Sequence, residues 1–499
     1  MKYYSTRDAA VRMDAAEAIK MGLSRDGGLL TPCEIPQIDR AFLESLVNVR
    51  YQERAAKVMG LYLTDYTYEE LSGFAENAYG PEKFDCDAVA PVRTVDETTH
   101  CLELWHGPTS AFKDMALQML PQLLSAALRK TGESKTVCIL VATSGDTGKA
   151  AMEGFADVPQ TKILVFYPKD GVSKVQETQM VTQDGANVGV CAVEGNFDDA
   201  QAGVKRIFSD EAIRATLADR GYFLSSANSI NWGRILPQVV YYISAYCDLV
   251  RDGKLSMGDK VNFCVPTGNF GNILAAYFAK RMGLPVKTLV CASNDNKVLY
   301  DFFTTGIYDR KREFILTNSP SMDILISSNL ERLIYMSTGC DALASGNLMR
   351  GLSQEGRYEV TPEMRAFMSD FVGGFATQEQ NAATIKKLFD DTGYLIDTHT
   401  GVAASVYGNY RKESGDDTKT VIASTASPYK FSHSVMEAIA GREGLEGKDE
   451  FEIVDALSAL SGVAVPQAVE EIRHAAVRHN RECGVDDMKN EVKDILGIS

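Results

Sequence analysis

The residues best suited to chemistry in this sequence are one lysine and three turns rich in glycine, hydroxyl and amide groups. Lys113 lies in His106-Gly107-Pro108-Thr109-Ser110-Ala111-Phe112-Lys113-Asp114, a Gly-Pro turn leading into an apolar helix that begins near Lys113. A lysine in a first helical turn faces the positive end of the dipole, and desolvation lowers its pKa further, which suits an amine nucleophile or base. The apolar neighbours Ala111-Phe112 and Met115-Ala116-Leu117 argue against a solvated position. The first turn, Thr143-Ser144-Gly145-Asp146-Thr147-Gly148-Lys149, follows an apolar run ending at Ala142. It is not a nucleoside-triphosphate loop, because Thr143 and Ala150 stand where that motif needs glycine and a hydroxyl residue. What survives is a hydroxyl-rich helix N-terminus that favours an anion, or an ordinary capping turn with Asp146 or Thr147 as N-cap. In the second turn, Gly268-Asn269-Phe270-Gly271-Asn272, two glycines three apart let several N–H groups converge on one oxyanion. The third, Ser424-Thr425-Ala426-Ser427-Pro428, adds hydroxyls.

These turns need a scaffold that brings them to one edge. Short apolar runs at Val137–Ala142, Ile163–Tyr167, Val188–Val193, Val261–Val265, Val286–Cys291 and Thr420–Ala423 read as strands. Helical periods fill the gaps at Lys113–Arg129, Thr147–Phe155, Asp198–Asp219, Trp232–Val250 and Gly271–Met282, with kinks expected at Pro121 and Pro237. The alternation predicts an α/β fold with open, mostly parallel sheets flanked by helices, in which strand-to-helix turns line the ligand crevice. Residues 1–95 read as an N-terminal helical domain with little strand signal. Residues 431–499 read as a C-terminal helical segment, carried by Ala464–His479 and Met488–Leu496.

The 499 residues carry a net charge of −16, which disfavours nucleic acid and anionic membranes as partners. Met1 to Met13 lack the apolar centre of a secretory signal, and no apolar run approaches a membrane span. Ten scattered cysteines without a CxxC pair fit a reduced, cytoplasmic protein and no metal site. Six histidines occur, and none, including His106 and His399, is assigned a role. Oligomeric state is open between monomer and homodimer.

The motifs HGPTSAFKD, TSGDTG, Ser226–Gln238 (SANSINWGRILPQ), PTGNFGN and STASPYKF occur in one order. Tyr4-Ser5-Thr6-Arg7, Gly22–Gly28, Pro320–Ile324 and Ser328–Arg332 extend the set over most of the chain. Together they resemble the threonine synthase family, pyridoxal-phosphate enzymes of the tryptophan-synthase-β-like fold (fold type II). The resemblance implies that residues 96–430 form two interleaved α/β subdomains with the active site between them. It implies a Schiff base between Lys113 and pyridoxal 5'-phosphate, the cofactor phosphate on Gly268, Asn269, Phe270, Gly271 and Asn272, and Thr425 by the pyridine nitrogen. Asp146 would lie beside the cofactor's ring oxygen. The implied reaction turns O-phospho-L-homoserine and water into L-threonine and phosphate, with Ser144, Thr147, Asn231 and Arg234 expected on the substrate side. Another pyridoxal-phosphate lyase and a non-catalytic binding homologue are the alternatives, and retention of Lys113 speaks against the second.

Overall fold

The computed structural model describes residues 1–498, and two parallel sheets dominate it. The larger has six strands in the order Phe371–Phe375, Val286–Ser293, Val261–Pro266, Thr420–Ser424, Thr99–Glu103, Val92–Thr94; only the last pairs antiparallel. The smaller has five parallel strands in the order Arg481–Gly484, Val188–Glu194, Thr161–Pro168, Thr136–Ala142, Tyr222–Ser225. Strands with helices on both faces are buried on both sides, which is why Thr136–Ala142 (TVCILVA) and Val261–Pro266 (VNFCVP) read as near-continuous apolar runs. The chain enters the larger sheet at Val92, builds four strands of the smaller one between Thr136 and Ser225, returns to the larger for its remaining parallel strands, and adds Arg481–Gly484 to the smaller sheet last.

Helix Trp232–Arg251 runs through Pro237 as one element and is buried along its first eighteen residues, Trp232 to Leu249. Trp232 anchors it, meeting the rings of Tyr3, Tyr62 and Phe278 at centroid distances of 5.7, 5.4 and 5.2 Å. Such pairs add to the burial of large apolar area and fasten the N-terminal residues to the α/β core.

Four expectations are corrected. The first hundred residues hold helices Arg40–Val47, Tyr51–Tyr62 and Tyr68–Ala78, but also a three-stranded antiparallel sheet of Arg12–Met13, Tyr3–Ser5 and Leu30–Pro32. These strands are too short for an alternating pattern to register. Ala464–His479 is not one helix but the short turns Gln467–Glu470 and Glu471–His474, and the C-terminal segment includes Arg481–Gly484, a strand on the smaller sheet. Lys113–Arg129 is divided into Asp114–Leu117 and Met119–Lys130. Pro121 has no N–H for the Leu117 carbonyl, and Gly154 of a neighbouring helix packs so closely on that oxygen that a Cβ would collide with it. Asp198–Asp219 is likewise two helices, Phe197–Ser209 and Glu211–Asp219, because the Asp210 side chain accepts from Ala212 and Ile213 N–H and starts the second.

Candidate active site

A cavity of about 360 Å³ opens where strand-to-helix turns of the two sheets face each other. Lys113, Ser144, Asp146, Thr147, Arg234, Gly268 to Asn272 and Thr425 all line it.

The lysine turn is held from both sides. Within it, Asp114 accepts from the Thr109 N–H at 2.9 Å and the Thr109 hydroxyl at 2.6 Å; burial raises the Asp114 pKa to about 6. Across it, the Phe112 N–H donates to Thr425 O (2.8 Å) and the Ser427 N–H to Ser110 O (3.0 Å), stitching the turn to the end of strand Thr420–Ser424. Lys113 therefore caps a short helix with its Nζ in the cavity, 3.4 Å from Asp146 Oδ2 and 3.3 Å from Ser321 Oγ. Burial lowers its pKa against the pull of Asp146, and the Lys430 and Arg234 charges lower it further.

The turn at 143–149 is capped in a way the sequence reading did not anticipate. Neither Asp146 nor Thr147 is the N-cap. Helix Asp146–Phe155 begins at Asp146, and the Thr143 hydroxyl accepts from the Gly145 and Gly148 N–H groups at 3.0 and 2.9 Å. Gly145 has φ +124°, and a Cβ there would strike the Gln176 amide, which itself donates to Asp146 Oδ1 at 2.9 Å. Only glycine meets both demands. Burial would raise the Asp146 pKa, but Lys430 and then Lys113 outweigh it and hold the carboxyl well below the usual range. Lys430 Nζ is 2.9 Å from Asp146 Oδ1, and its side chain is fully buried.

The loop 268–272 forms the opposite wall. Phe270 adopts left-handed φ 63°, costly for a bulky residue; the rings of Phe303 and Phe371 hold it at 6.0 and 5.5 Å. Helix Gly271–Met282 starts immediately after, so its free N–H groups and dipole end face the cavity. Asn272 Oδ1 accepts from Tyr241 and Tyr242, while its Nδ2, buried, has no partner. Ser327 Oγ donates to Gly268 O at 2.7 Å, and Asn329 donates through both its N–H and its side chain to Asn269 O. Glu331 in turn pairs with Arg7 through two bonds of 2.7 Å. The N-terminal Tyr4–Arg7 motif and the Ser328–Arg332 motif thus meet to support this loop.

Arg234, in the first turn of helix Trp232–Arg251, is buried, and among the described residues it has no carboxylate partner. One guanidinium nitrogen donates to Ala227 O, its Nε has no partner, and burial pushes its pKa down to about 10. An unpaired buried cation beside a cavity calls for an anion. Asn231, by contrast, is a correction. It lies outside the cavity lining, its Oδ1 caps the helix by accepting from the Gly233 N–H (2.9 Å), and its Nδ2 donates to Ile19 O (3.0 Å). Asn228 and Ser229 of the same motif line the cavity beside Arg234 instead.

Other lining and supporting groups were not anticipated. Ser321 Oγ donates to Asp146 Oδ2 at 3.3 Å. The Ser321 N–H donates to His399 Nε2 at 3.1 Å, so Nδ1 carries the proton and donates to Asp397 at 2.8 Å. His106 is absent from the lining and bridges Asp85 (2.6 Å) and Glu103 (3.0 Å). Lys430 was visible only as part of the STASPYKF motif.

Residues 100–426 match the family described as pyridoxal-phosphate dependent enzyme, residues 2–79 the threonine synthase N terminus and residues 400–481 the threonine synthase C-terminal region. Threonine synthase from Pseudomonas aeruginosa is 38% identical over 444 residues, covering 89% of this chain and 91% of that one. Human threonine synthase-like 1 is 40% identical over 439 residues, covering 86% of this chain; the match spans 58% of that longer protein. The crystal structure of pyridoxal-phosphate-bound threonine synthase from Brucella melitensis superposes with a TM-score of 0.87 at 36% identity, over 99% of both chains. With the lysine turn, the nest at 268–272 and the unpaired Arg234 on one cavity, this chain belongs to the threonine synthase family of pyridoxal-phosphate-dependent enzymes.

Proposed function

We propose that this chain is a threonine synthase, a lyase converting O-phospho-L-homoserine and water into L-threonine and phosphate. The observation that carries the reading is that one cavity is lined by Lys113, by the donors of loop 268–272 and by the unpaired Arg234 guanidinium, which together supply the positive character that two phosphates need. Pyridoxal phosphate fits these residues. The orphaned Asn272 Nδ2 and the helix N-terminus await an oxyanion, and a Cβ at Gly268 would lie 2.8 Å from Ser321 O, so the wall tolerates nothing bulkier there.

Lys113 would carry the cofactor, residues 268–272 would hold its phosphate, Asp146 would face its ring oxygen and Thr425 its ring nitrogen. A hydroxyl at that nitrogen does not enforce protonation as a carboxylate does. When bound, the cofactor supplies the electron sink that acidifies hydrogens near the amino group. Freed when the substrate amine takes its place, Lys113 Nζ, its proton affinity lowered by burial, moves protons one at a time, removing one from Cα and one from Cβ of the substrate and delivering one to Cγ and, at the end, one to Cα. Arg234, Ser144 and Thr147, with Asn228 and Ser229, hold the γ-phosphate, which departs with the electron pair of the Cγ–O bond. Water then gives its hydroxyl to Cβ, and its remaining proton ends on the released phosphate. The net change moves one hydrogen onto Cγ, one hydroxyl onto Cβ and releases phosphate.

The ten free thiols support a reducing, cytoplasmic setting. Among the described residues, no helix is long and apolar enough to cross a membrane. Incubation with O-phospho-L-homoserine, with phosphate and threonine quantified in the same sample, tests the proposal. Equal appearance of both is expected. Phosphate accompanied by a keto acid would make the chain an eliminating lyase instead.

A further inference from the structure

Asp146 is a single buried carboxylate claimed by two ammonium groups. Lys430, from the turn after strand Thr420–Ser424, takes Oδ1 at 2.9 Å; Lys113 shares Oδ2 with the Ser321 hydroxyl. The Lys430 side chain is wholly enclosed and also donates to Thr109 O at 2.9 Å, within the lysine turn itself. It therefore ties the carboxylate to the segment that carries Lys113. It does not line the cavity, so it touches neither substrate nor cofactor.

We infer that Lys430 is a positioning residue that sets the proton affinity of Lys113 by claiming half of Asp146. With Lys430 absent, Lys113 would be the one charged partner left to Asp146 beside the neutral Gln176 and Ser321 donors, and the carboxylate would hold a proton on its nitrogen. With Lys430 present, the carboxylate is already compensated and fixed in orientation, and the second positive charge favours release of the Lys113 proton. Burial keeps water from screening the three charges. The other charged or titratable groups facing the trio are Arg234 across the cavity, Asp114 below the lysine turn and, beyond Ser321, the Asp397–His399 pair. None of them bonds Asp146.

The inference rests on the reading that Lys113 carries the cofactor and is independent of the substrate. Its test is a pH titration of the absorbance of the lysine-bound cofactor in the holoprotein. Lys430→Met should move the midpoint up by at least about one unit, the size a charge at about 4 to 6 Å imposes. Asp146→Asn should move it down by a similar amount, the double variant should return it towards the parent value, and Lys430→Arg should leave it there. If the methionine variant does not fold, Lys430→Gln retains a donor and takes its place. Midpoints unmoved in folded Lys430 variants would overturn the inference, and so would failure of both neutral variants to fold, which would leave Lys430 a structural counter-charge only. Should Lys113→Ala retain the parent absorbance, it is the cofactor assignment that has failed.

Discussion

Replacing Lys113 with alanine removes the amine that reaches Asp146 and Ser321 in the cavity, and turnover should fall by about 10²–10⁴-fold or more. Product assays beside cofactor absorbance check this, since both should be lost together. Arg234→Ala should act differently. It removes charge-assisted bonds of about 1.5–3 kcal/mol, so KM for phosphohomoserine should rise roughly 10- to 100-fold while cofactor absorbance persists. Unchanged kinetics would remove Arg234 from the substrate site. Lys113 and the glycine turns were legible in the sequence because their signals are local: a lysine at a helix start, and glycines where backbone must bend. Lys430 and Ser321 were not, since each reaches Asp146 from far along the chain. Asn231 was misread although an asparagine before an apolar helix is itself an N-cap signal.

At the scale of elements, the turns hold their functional groups through residues that cannot change. Gly145→Ala would place a side chain at φ +124° and against Gln176, costing about 1–3 kcal/mol and displacing the amide that orients Asp146. A lowered melting temperature should therefore accompany weakened cofactor retention, and a fully stable variant with intact retention would contradict the account. The inner strands were readable because double-sided burial demands continuous β-branched and apolar residues. Strands such as Arg481–Gly484 and Thr99–Glu103 escaped, because their polar residues are compatible with a sheet only through the partner that covers them.

For the whole molecule, His106 links Asp85, from the N-terminal part, to Glu103 in the larger sheet. Burial opposes its charge, but Asp85 and Glu103 prevail and raise its pKa to about 9. A folded-state pKa above the unfolded value of about 6.5 means that the stabilisation is fully present below pH ~6.5 and lost as pH rises through ~9. The melting temperature of His106→Gln should accordingly fall furthest below the parent in mildly acidic buffer, and the gap should close above pH ~9. A gap that widens with pH would reverse the assignment. The way the chain leaves and re-enters the larger sheet was not legible from local patterns, since strand order depends on contacts that no single segment encodes.

That order has a consequence for synthesis. Strand Thr99–Glu103 emerges early, yet its parallel neighbour, Thr420–Ser424, follows only about 320 residues later. At roughly 5–20 residues per second, the wait is on the order of 16–64 s. Through that interval the strand has only its hairpin partner Val92–Thr94, and its other edge stays open. The lysine turn, whose 2.8 Å and 3.0 Å stitches run to residues 425 and 427, cannot set until the same moment. Lys113 is therefore made early in synthesis and among the last groups to be placed.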